Sequence, residues 1–350
     1  MRRPLTRLAA GLSAITLGAT LVACTSGQET PTAAPAPSSD GTSSGAPASG
    51  PIEIALLQKQ GDQQYFVDEA DGAKAAAQEA GDVTITVADL GDDANKAVSE
   101  VESAIARGVK GIIIVVPDQA VGPQVIKLAQ DAGIPIMAAD DGIKDASGQA
   151  IPFTGFNGTD MGTKVGDEAA RLYQAAGWAK EDTRILALWK QDLSVCTDRV
   201  EGAKAAFTKA VGDGNVPDII EVGTDNTPTN AQDKTTATLT ANSDVKHWVV
   251  WGCNDENVSG GVTALQNGGV KPADIIGVGL GAYLSCKDWA AGQDTGNKAA
   301  LYISGIDVGK AAVTAMVAYL RDGTPLPPET IAQTYMVDAT NYKETGVVCT

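Results

Sequence analysis

The chain is poor in histidine, in aromatic side chains and in positive charge. His247 is the one histidine in 350 residues, so there is none to spare for a Ser-His-Asp triad, and a metal site with several histidines is excluded. Aromatic residues make up only 5% of the chain. Lysine and arginine number 26 against 43 acidic residues, and the net charge is −17. Because such a chain repels phosphate backbones and anionic headgroups, we expect no nucleic-acid partner.

The remaining composition is that of a soluble globular protein. Apolar residues make up 43% of the chain and charged residues 20%. A length of 350 residues predicts about two domains, at roughly 150 residues each. Each domain would be large enough to bury its own core.

The first 50 residues carry targeting features. Residues 1–23 begin with a positive end and continue with an apolar run too short to span a membrane comfortably, which predicts a signal peptide. Leu21-Val-Ala-Cys24 resembles the bacterial lipobox, in which Cys24 would be acylated; the alternative is an ordinary signal peptide with a chance cysteine. Residues 24–50 consist mostly of Ser, Thr, Ala, Pro and Gly and predict a disordered tether. We therefore expect an extracytoplasmic protein, attached to the cell membrane by a lipid anchor only.

From Pro51 onward, strand and helix patterns alternate. Short β-branched and apolar runs are typical of strands, and the segments between them have helical spacing. This order predicts an α/β fold with parallel sheets covered by helices on both faces, built twice. Strands are predicted at 52–58, 83–87, 111–116, 134–138, 184–189, 219–222, 247–251 and 275–278, and helices at 68–81, 95–107, 123–132, 198–211, 230–241, 258–267 and 306–321.

Polar side chains directly follow several predicted strands. Ligands of open parallel sheets bind at the carboxyl ends of the strands, and two sheets facing each other would form one cleft. For Asp118 and Asp255, a helix N-cap is at least as good an interpretation. For Lys59 and the Asp140-Asp141 pair the N-cap interpretation is weaker. Lysine does not cap helix N-termini, and a single N-cap needs only one of two adjacent aspartates. Lys190–Asp192 and Asn254 hold equivalent positions.

Six stretches of the sequence have a specific pattern. They are Leu57-Gln-Lys-Gln60 with Tyr65-Phe66, Val116-Pro-Asp118, Ala139-Asp-Asp141, Arg199-Val-Glu-Gly202, Val245–Trp248 running into Gly252–Asp255, and Ala273–Gly279. Together they resemble the pentose- and hexose-binding proteins of bacterial ABC importers, in particular the L-arabinose-binding type, over nearly all of residues 52–342.

That resemblance implies a fold of two Rossmann-like lobes joined by a three-crossing hinge, the type I periplasmic binding protein fold. It assigns residues 51–156 plus 297–323 to the first lobe. The second lobe would hold residues 157–296 plus 324–350.

The resemblance also implies binding roles in the first lobe. Lys59 and Asp140 match charged groups that bond sugar hydroxyls, and Asp141 belongs to the same predicted site. Tyr65 or Phe66 matches an aromatic wall under the apolar face of the sugar ring. Both aromatics are also compatible with a place in the core at a helix start.

Further roles follow near and in the second lobe. Arg199 and Asn254 match donors and acceptors to the sugar, and Arg199 also contacts the ring oxygen in the family; a surface charge is its alternative. Asn157 lies in a stretch where relatives have a ligand contact. In the first lobe, Gln63 is the counterpart of the family's acidic or amide residue near the start of the first helix. In the second lobe, Cys253 stands where the family has a methionine.

The sequence departs from the arabinose-binding pattern after the strand that ends at Gly279. The pattern has an asparagine and an aspartate that reach the sugar, where this chain has Gly281 and Leu284. We therefore expect a monosaccharide ligand, but not an unchanged arabinose pose. Leu284 would suit a deoxy or hydroxymethyl edge of the sugar. Alternatively, Tyr283 or Ser285 restores the contact.

The cysteines leave the disulfide pairing open. Besides Cys24, the chain has Cys196, Cys253, Cys286 and Cys349, an even number that allows three disulfide pairings outside the cytosol. We expect one bridge at the cleft edge of the second lobe.

Residues 277–282 fit a loose G-x-G-x-x-G/A dinucleotide motif but lack the acidic residue about 20 positions later. They predict a tight strand-end turn instead.

These features predict a monomeric solute-binding lipoprotein that captures a pentose or hexose by hinge closure and delivers it to an ABC permease and its ATPase. A sugar sensor for a signalling protein is the alternative that stays open. A repressor of the same fold would need a DNA-binding segment in place of residues 1–50. An exported enzyme would need a nucleophile with a paired base or a metal cluster, and the sequence offers neither, so we expect no catalysis and no cofactor.

Overall fold

The computed structural model describes residues 50–349. The predicted signal peptide, the predicted acylation site Cys24 and nearly all of the predicted tether lie outside these residues. Within them, no helix is both long enough and apolar enough to span a membrane.

Two six-stranded sheets form the framework, and this confirms the predicted α/β class. The first sheet has the order β11-β5-β4-β3-β1-β2 and is parallel throughout. Its strands are β1 (Ile52–Gln58), β2 (Val83–Asp89), β3 (Gly111–Ile114), β4 (Ile136–Asp140), β5 (Phe153–Gly155) and β11 (Glu329–Ile331). The central strands β1, β3 and β4 are buried and largely apolar, as expected for a sheet covered on both faces, whereas the edge strands β2 and β11 are partly exposed.

The second sheet repeats this plan in the order β12-β10-β9-β8-β6-β7. Its strands are parallel except for β12, which pairs antiparallel with β10 at the edge. The strands are β6 (Thr183–Trp189), β7 (Asp218–Gly223), β8 (His247–Gly252), β9 (Ile275–Gly281), β10 (Asn297–Ile303) and β12 (Thr334–Val337).

Helices cover both faces of each sheet. In the first lobe, α1 and α9 pack on one face, and α2 and α3 pack on the other. In the second lobe, α4 and α5 pack together, as do α6 and α7. The helices are α1 (Gln64–Ala80), α2 (Ala94–Arg107), α3 (Gly122–Asp131), α4 (Gly158–Ala176), α5 (Ser194–Val211), α6 (Pro228–Ala241), α7 (Asp255–Asn267), α8 (Ser285–Ala290) and α9 (Gly305–Asp322).

The chain passes between the two sheets three times, but the lobe boundaries differ from those expected. β10 pairs with β9, so residues 297–303 belong to the second lobe, and the return to the first begins at Ser304, whose side chain caps α9. β11 pairs with β5, so residues 329–331 belong to the first lobe. β11 is a three-residue edge strand, and its partner β5 is far away in sequence. β10 instead continues the second sheet next to β9, the strand that precedes it, so the crossing lies after β10 and not before it.

Helix α4 is absent from the elements that the sequence predicts. Its glycines lower helix propensity and hide the pattern. The structure shows why they are there: a Cβ at Gly162 or Gly166 would collide with the backbone oxygens of Arg199 or Ala203 on α5. The two helices thus pack backbone against backbone, and this contact holds Arg199 at a fixed place beside the hinge.

Candidate functional site

A cavity of about 50 Å³ lies between the two lobes, at the carboxyl ends of their strands. Lys59 follows β1, Asp140 ends β4, and Cys253 follows β8. The parallel order of both sheets brings these strand ends to one cleft. Of the ten ligand-binding residues that the sequence predicts, eight line this cavity: Lys59, Gln63, Tyr65, Phe66, Asp140, Arg199, Cys253 and Asn254.

Asp141 is the ninth predicted residue, and it joins the two lobes. Its Oδ2 lies 2.5 Å from Nζ of Lys59, and its Oδ1 accepts a hydrogen bond of 3.3 Å from Nη2 of Arg199. Nζ of Lys59 also lies 3.8 Å from Oδ2 of Asp140. All four side chains are buried. Because Lys59 and Asp141 belong to the first lobe and Arg199 to the second, this network crosses the cleft.

The two adjacent aspartates reach the same lysine because of an unusual backbone. Asp140 has a φ of +58°, in the left-handed region that non-glycine residues seldom adopt. In a regular strand, neighbouring side chains point to opposite faces. The left-handed turn ends β4 and directs both carboxylates to Nζ of Lys59. Strain of this kind is common at ligand sites.

The aspartates differ in their affinity for protons. Burial, followed by the negative charge of Asp141, raises the pKa of Asp140 to about 6. Burial alone would also raise the pKa of Asp141, but the charges of Lys59 and Arg199 outweigh it and hold that pKa below its usual value. Asp141 is therefore the ion-paired carboxylate, and Asp140 is the one that can change its protonation with pH.

Glu69 lies behind this network and is absent from the sequence-based site. It is fully buried on α1, and neither of its carboxyl oxygens has a hydrogen-bond partner within residues 50–349. Burial and the charge of Asp140 raise its pKa well above the usual value. A neutral Glu69 fits this position, since an ionised carboxylate without a partner would be costly to bury.

The second-lobe wall is built around Arg199. Its Nη1 donates a hydrogen bond of 3.2 Å to the carbonyl oxygen of Cys253. Cys253 forms a disulfide with Cys196, and both cysteines line the cavity, in line with the expected bridge at the cleft edge. Cys286 and Cys349 form the second bridge, away from the cavity.

Two asparagines complete this wall. Asn226, with a φ of +67°, donates from Nδ2 toward Sγ of Cys196 and accepts from Nδ2 of Asn257. Asn254 lines the cavity and also caps α7, accepting from the backbone N–H of Asn257. The binding and capping interpretations of Asn254 are therefore compatible.

Asn157 lies elsewhere. Its side chain caps α4, accepting from the backbone N–H of Asp160 at 2.9 Å, and it faces a groove of about 690 Å³ beside the hinge. It does not line the cavity. The resemblance that predicts a ligand contact here is loose in this stretch and does not account for the helix that begins there. Asp118 is a cap, as the alternative interpretation has it, and accepts from the N–H of Ala120.

The residues after β9 differ from the sequence-based expectation. Leu284 faces an adjoining groove and not the cavity. The hydroxyl of Ser285 is bonded to Asp255, which also accepts from the backbone N–H groups of Leu284 and Ser285. Tyr283 is the residue of this turn that lines the cavity.

Residues 54–325 match the family described as the periplasmic binding protein domain. The chain belongs to this family. It is 26% identical over 309 residues to the ABC transporter L-arabinose-binding periplasmic protein of Azospirillum brasilense, covering 87% of this chain and 91% of the relative. It is 30% identical over 251 residues to the L-arabinose-binding periplasmic protein of Escherichia coli, covering 70% and 74%.

Solved structures show the same fold. A solute-binding protein from Actinobacillus succinogenes with bound D-allose has a TM-score of 0.73 and 23% identity, covering 84% of this chain and 99% of that chain. One from Bacillus halodurans with bound myo-inositol has a TM-score of 0.73 and 19% identity, covering 85% and 98%. These comparisons confirm the resemblance and the two-lobed architecture.

The described residues do not support two other kinds of site, one for a dinucleotide and one for a metal ion. A Cβ at Gly279 would collide with the carboxylate of Asp255, and one at Gly277 would collide with Val262. These glycines therefore serve packing at the strand end, as the predicted tight turn requires, and not a dinucleotide. In the described part of the chain, no group of three His, Cys, Asp or Glu side chains could hold a metal ion.

Several cavity residues are missing from the sequence-based site. Tyr283, which the sequence analysis names only as an alternative contact, follows a strand end, so the rule that selected Lys59 and Asp140 could also have selected it. Leu193, Val195 and Ile303 are apolar and carry no such signal. The further lining residues that the sequence does not predict are Gln60, Asp92, Cys196, Asn226 and Leu280.

Proposed function

We propose that this periplasmic binding protein is the sugar-binding component of an ABC importer and captures a pentose or hexose between its lobes. The observation that carries the proposal is the buried network of Lys59, Asp140, Asp141 and Arg199, set beside Tyr65 and Phe66 in one cavity. The L-arabinose-binding relatives support a monosaccharide as the class of ligand.

The chemistry of the cavity suits a sugar. Each sugar hydroxyl both donates and accepts, so the Asp140 carboxylate can accept from it and the Lys59 and Arg199 cations can donate to it. Such charge-assisted hydrogen bonds contribute about 1.5–3 kcal/mol each. The rings of Tyr65 and Phe66 meet edge to face at 5.0 Å, and they provide apolar surface for the C–H groups of the sugar.

Hinge closure is the proposed mechanism. The three crossings permit the lobes to rotate as rigid bodies, and a sugar that contacts both walls stabilises the closed form by its differential affinity. Among the described residues, two ion pairs span the cleft. They are Asp141 with Arg199, and Asp92 with Lys190, whose Oδ2 and Nζ lie 3.8 Å apart. Closure therefore brings together groups that the two lobes hold apart when they open.

The setting of the protein follows from the same proposal. As a member of this family, it acts outside the cytoplasm. The permease and the ATPase of the importer are its protein partners, the chain is monomeric, and acylated Cys24 with the tether after it keeps the domain near the membrane. The function requires no cofactor and no catalytic group.

A sugar panel tests the function. Thermal shift against arabinose, xylose, ribose, galactose and glucose, followed by calorimetry, should identify at least one tight ligand. Asp140→Asn should abolish that binding, whereas Asp118→Asn, the same change at a helix cap outside the cavity, should leave it intact. If no sugar binds, or if Asp140→Asn binds as the wild type does, the proposal is wrong.

A further inference from the structure

Tyr283 occupies a special turn at the end of β9. The two residues before it both have positive φ, +136° at Gly281 and +72° at Ala282. The second value is rare for a residue with a side chain. This turn directs the Tyr283 ring between the cavity and the adjoining groove, and the residue is 7% exposed.

Gly281 and Tyr283 depend on each other. A Cβ at Gly281 would collide with Cε1 of Tyr283 and would also lie 3.1 Å from Cβ of Asp255. The arabinose-binding pattern has an asparagine at position 281, and no such side chain fits beside this ring. The chain has therefore exchanged an amide in the second-lobe wall for an aromatic ring.

Glu256 fixes the orientation of the phenol. The hydroxyl of Tyr283 lies 2.9 Å and 2.8 Å from the two carboxyl oxygens of Glu256, which is itself 5% exposed. The phenol proton is directed to this carboxylate. What remains for a ligand is the oxygen lone pair, which accepts, and the ring, which is apolar.

The neighbouring polar groups do not offer the same acceptor. Oδ1 of Asn254 accepts from two N–H groups of Asn257, and the Ser285 hydroxyl is bonded to Asp255. Arg199 has donors only, and its buried Nε has no partner among the described residues. The second-lobe wall thus pairs a donor, Arg199, with an acceptor, Tyr283.

On the basis of the proposed function, we propose that Tyr283, positioned by Glu256 and admitted by Gly281, is a specificity-determining residue of the sugar site. It selects neutral monosaccharides that present one hydroxyl as a donor to the phenol oxygen, with C–H surface beside it. It disfavours ligands that present only an acceptor at that point.

Deoxy sugars test this assignment. For the sugar that the wild type binds, calorimetry compares the parent with its series of monodeoxy analogues on the wild type and on Tyr283→Phe. At one ring position, removal of the hydroxyl should weaken wild-type binding about threefold to tenfold and should leave Tyr283→Phe nearly unaffected. Tyr342→Phe, a buried tyrosine of the second lobe outside the cavity, is the matched control and should behave as the wild type.

Other outcomes separate the two proposals. If the wild type binds a sugar but every deoxy analogue loses the same factor on both proteins, Tyr283 does not determine specificity and the proposed function stands. If the wild type binds no sugar, both proposals fail. Glu256→Ala, which removes the hydrogen-bond partner of the phenol, should lose the selectivity of the wild type, and Glu256→Gln, which keeps a partner, should retain it. A Glu256→Ala variant with wild-type selectivity would contradict the positioning role.

Discussion

The two walls of the cleft are built in different ways. The first-lobe wall is a chain of buried charges, in which Lys59 lies between Asp140 and Asp141. In the second-lobe wall, Arg199 is the one cation among the residues that line the cavity, and it donates to the carbonyl oxygen of Cys253. The wall also contains the Cys196–Cys253 disulfide and the Tyr283–Glu256 pair. Charges bind any polyol with suitable hydroxyls, whereas a ring and a single acceptor distinguish between polyols. On the proposals made above, we expect the first wall to contribute mainly affinity and the second mainly selectivity.

Asp141 is where the walls meet, and its replacement should have the largest effect. Asp141→Asn leaves the buried Lys59 and Arg199 without their shared anion, and such losses cost about 3–5 kcal/mol. We expect a comparable fall in the free energy of unfolding, measured in denaturant, together with loss of sugar binding. Asp131→Asn, which breaks an exposed pair with Lys127, is the control and should change stability by less than about 1 kcal/mol. Equal effects of the two variants would contradict the account.

The two disulfides allow the second wall to be tested against a matched control. Cys196–Cys253 and Cys286–Cys349 span similar sequence separations, 57 and 63 residues, so removing either should cost a similar 2–4 kcal/mol or so of stability. Only the first holds the carbonyl that orients Arg199. Paired Cys→Ser changes at the first bridge should therefore weaken sugar binding, and those at the second should not. Similar affinities for both variants by calorimetry would refute a role of the bridge in the wall.

The sequence predicted the residues of the first-lobe wall better than those of the second-lobe wall. Lys59, Asp140 and Asp141 stand directly after strands, so the rule for parallel sheets and the family pattern both select them. Tyr283 was named only as an alternative that could restore a lost contact, and Glu256 was not predicted. The placement of Tyr283 depends on the positive φ of Gly281 and Ala282, which follows from packing and not from local propensity.

The same reason explains the gaps in the predicted fold. The long strand and helix patterns were predicted, and the structure confirms them. Helix α4 was not, since its glycines serve contact with α5, a helix distant in sequence. Lobe membership of β11 also depends on its pairing with β5, a strand distant in sequence, and no local pattern carries that information.

Glu256 should make stability depend on pH. Burial, with the charge of Asp255, raises its pKa from 4.5 to about 7. A raised acid pKa stabilises the folded state below pH 4.5, and that contribution is lost as the pH rises to about 7. Glu256→Gln should therefore gain stability relative to the wild type between these pH values, by up to about 3 kcal/mol. The free energies of unfolding of Glu256→Gln and of the wild type are measured in denaturant at several pH values. If their difference does not change with pH, Glu256 does not titrate in this range.

The smallest effect is expected for the second ion pair across the cleft. Lys190 and Asp92 lie 3.8 Å apart and are partly exposed, so their attraction contributes no more than about 1 kcal/mol to closure. Lys190→Gln should weaken sugar binding by a few fold at low salt and by less at high salt, because ions screen exposed pairs. A loss as large as that of Arg199→Ala would mean that this pair, and not the Arg199 network, controls closure.

Small-angle X-ray scattering tests most directly whether both walls serve one site. With the sugar that the panel identifies, the radius of gyration of the wild type should fall on saturation, because a ligand held by Asp140 and Arg199 draws the lobes together. Arg199→Ala, at the same sugar concentration, should keep the larger radius. A wild-type radius that does not change at saturation would contradict closure of the cleft on the sugar.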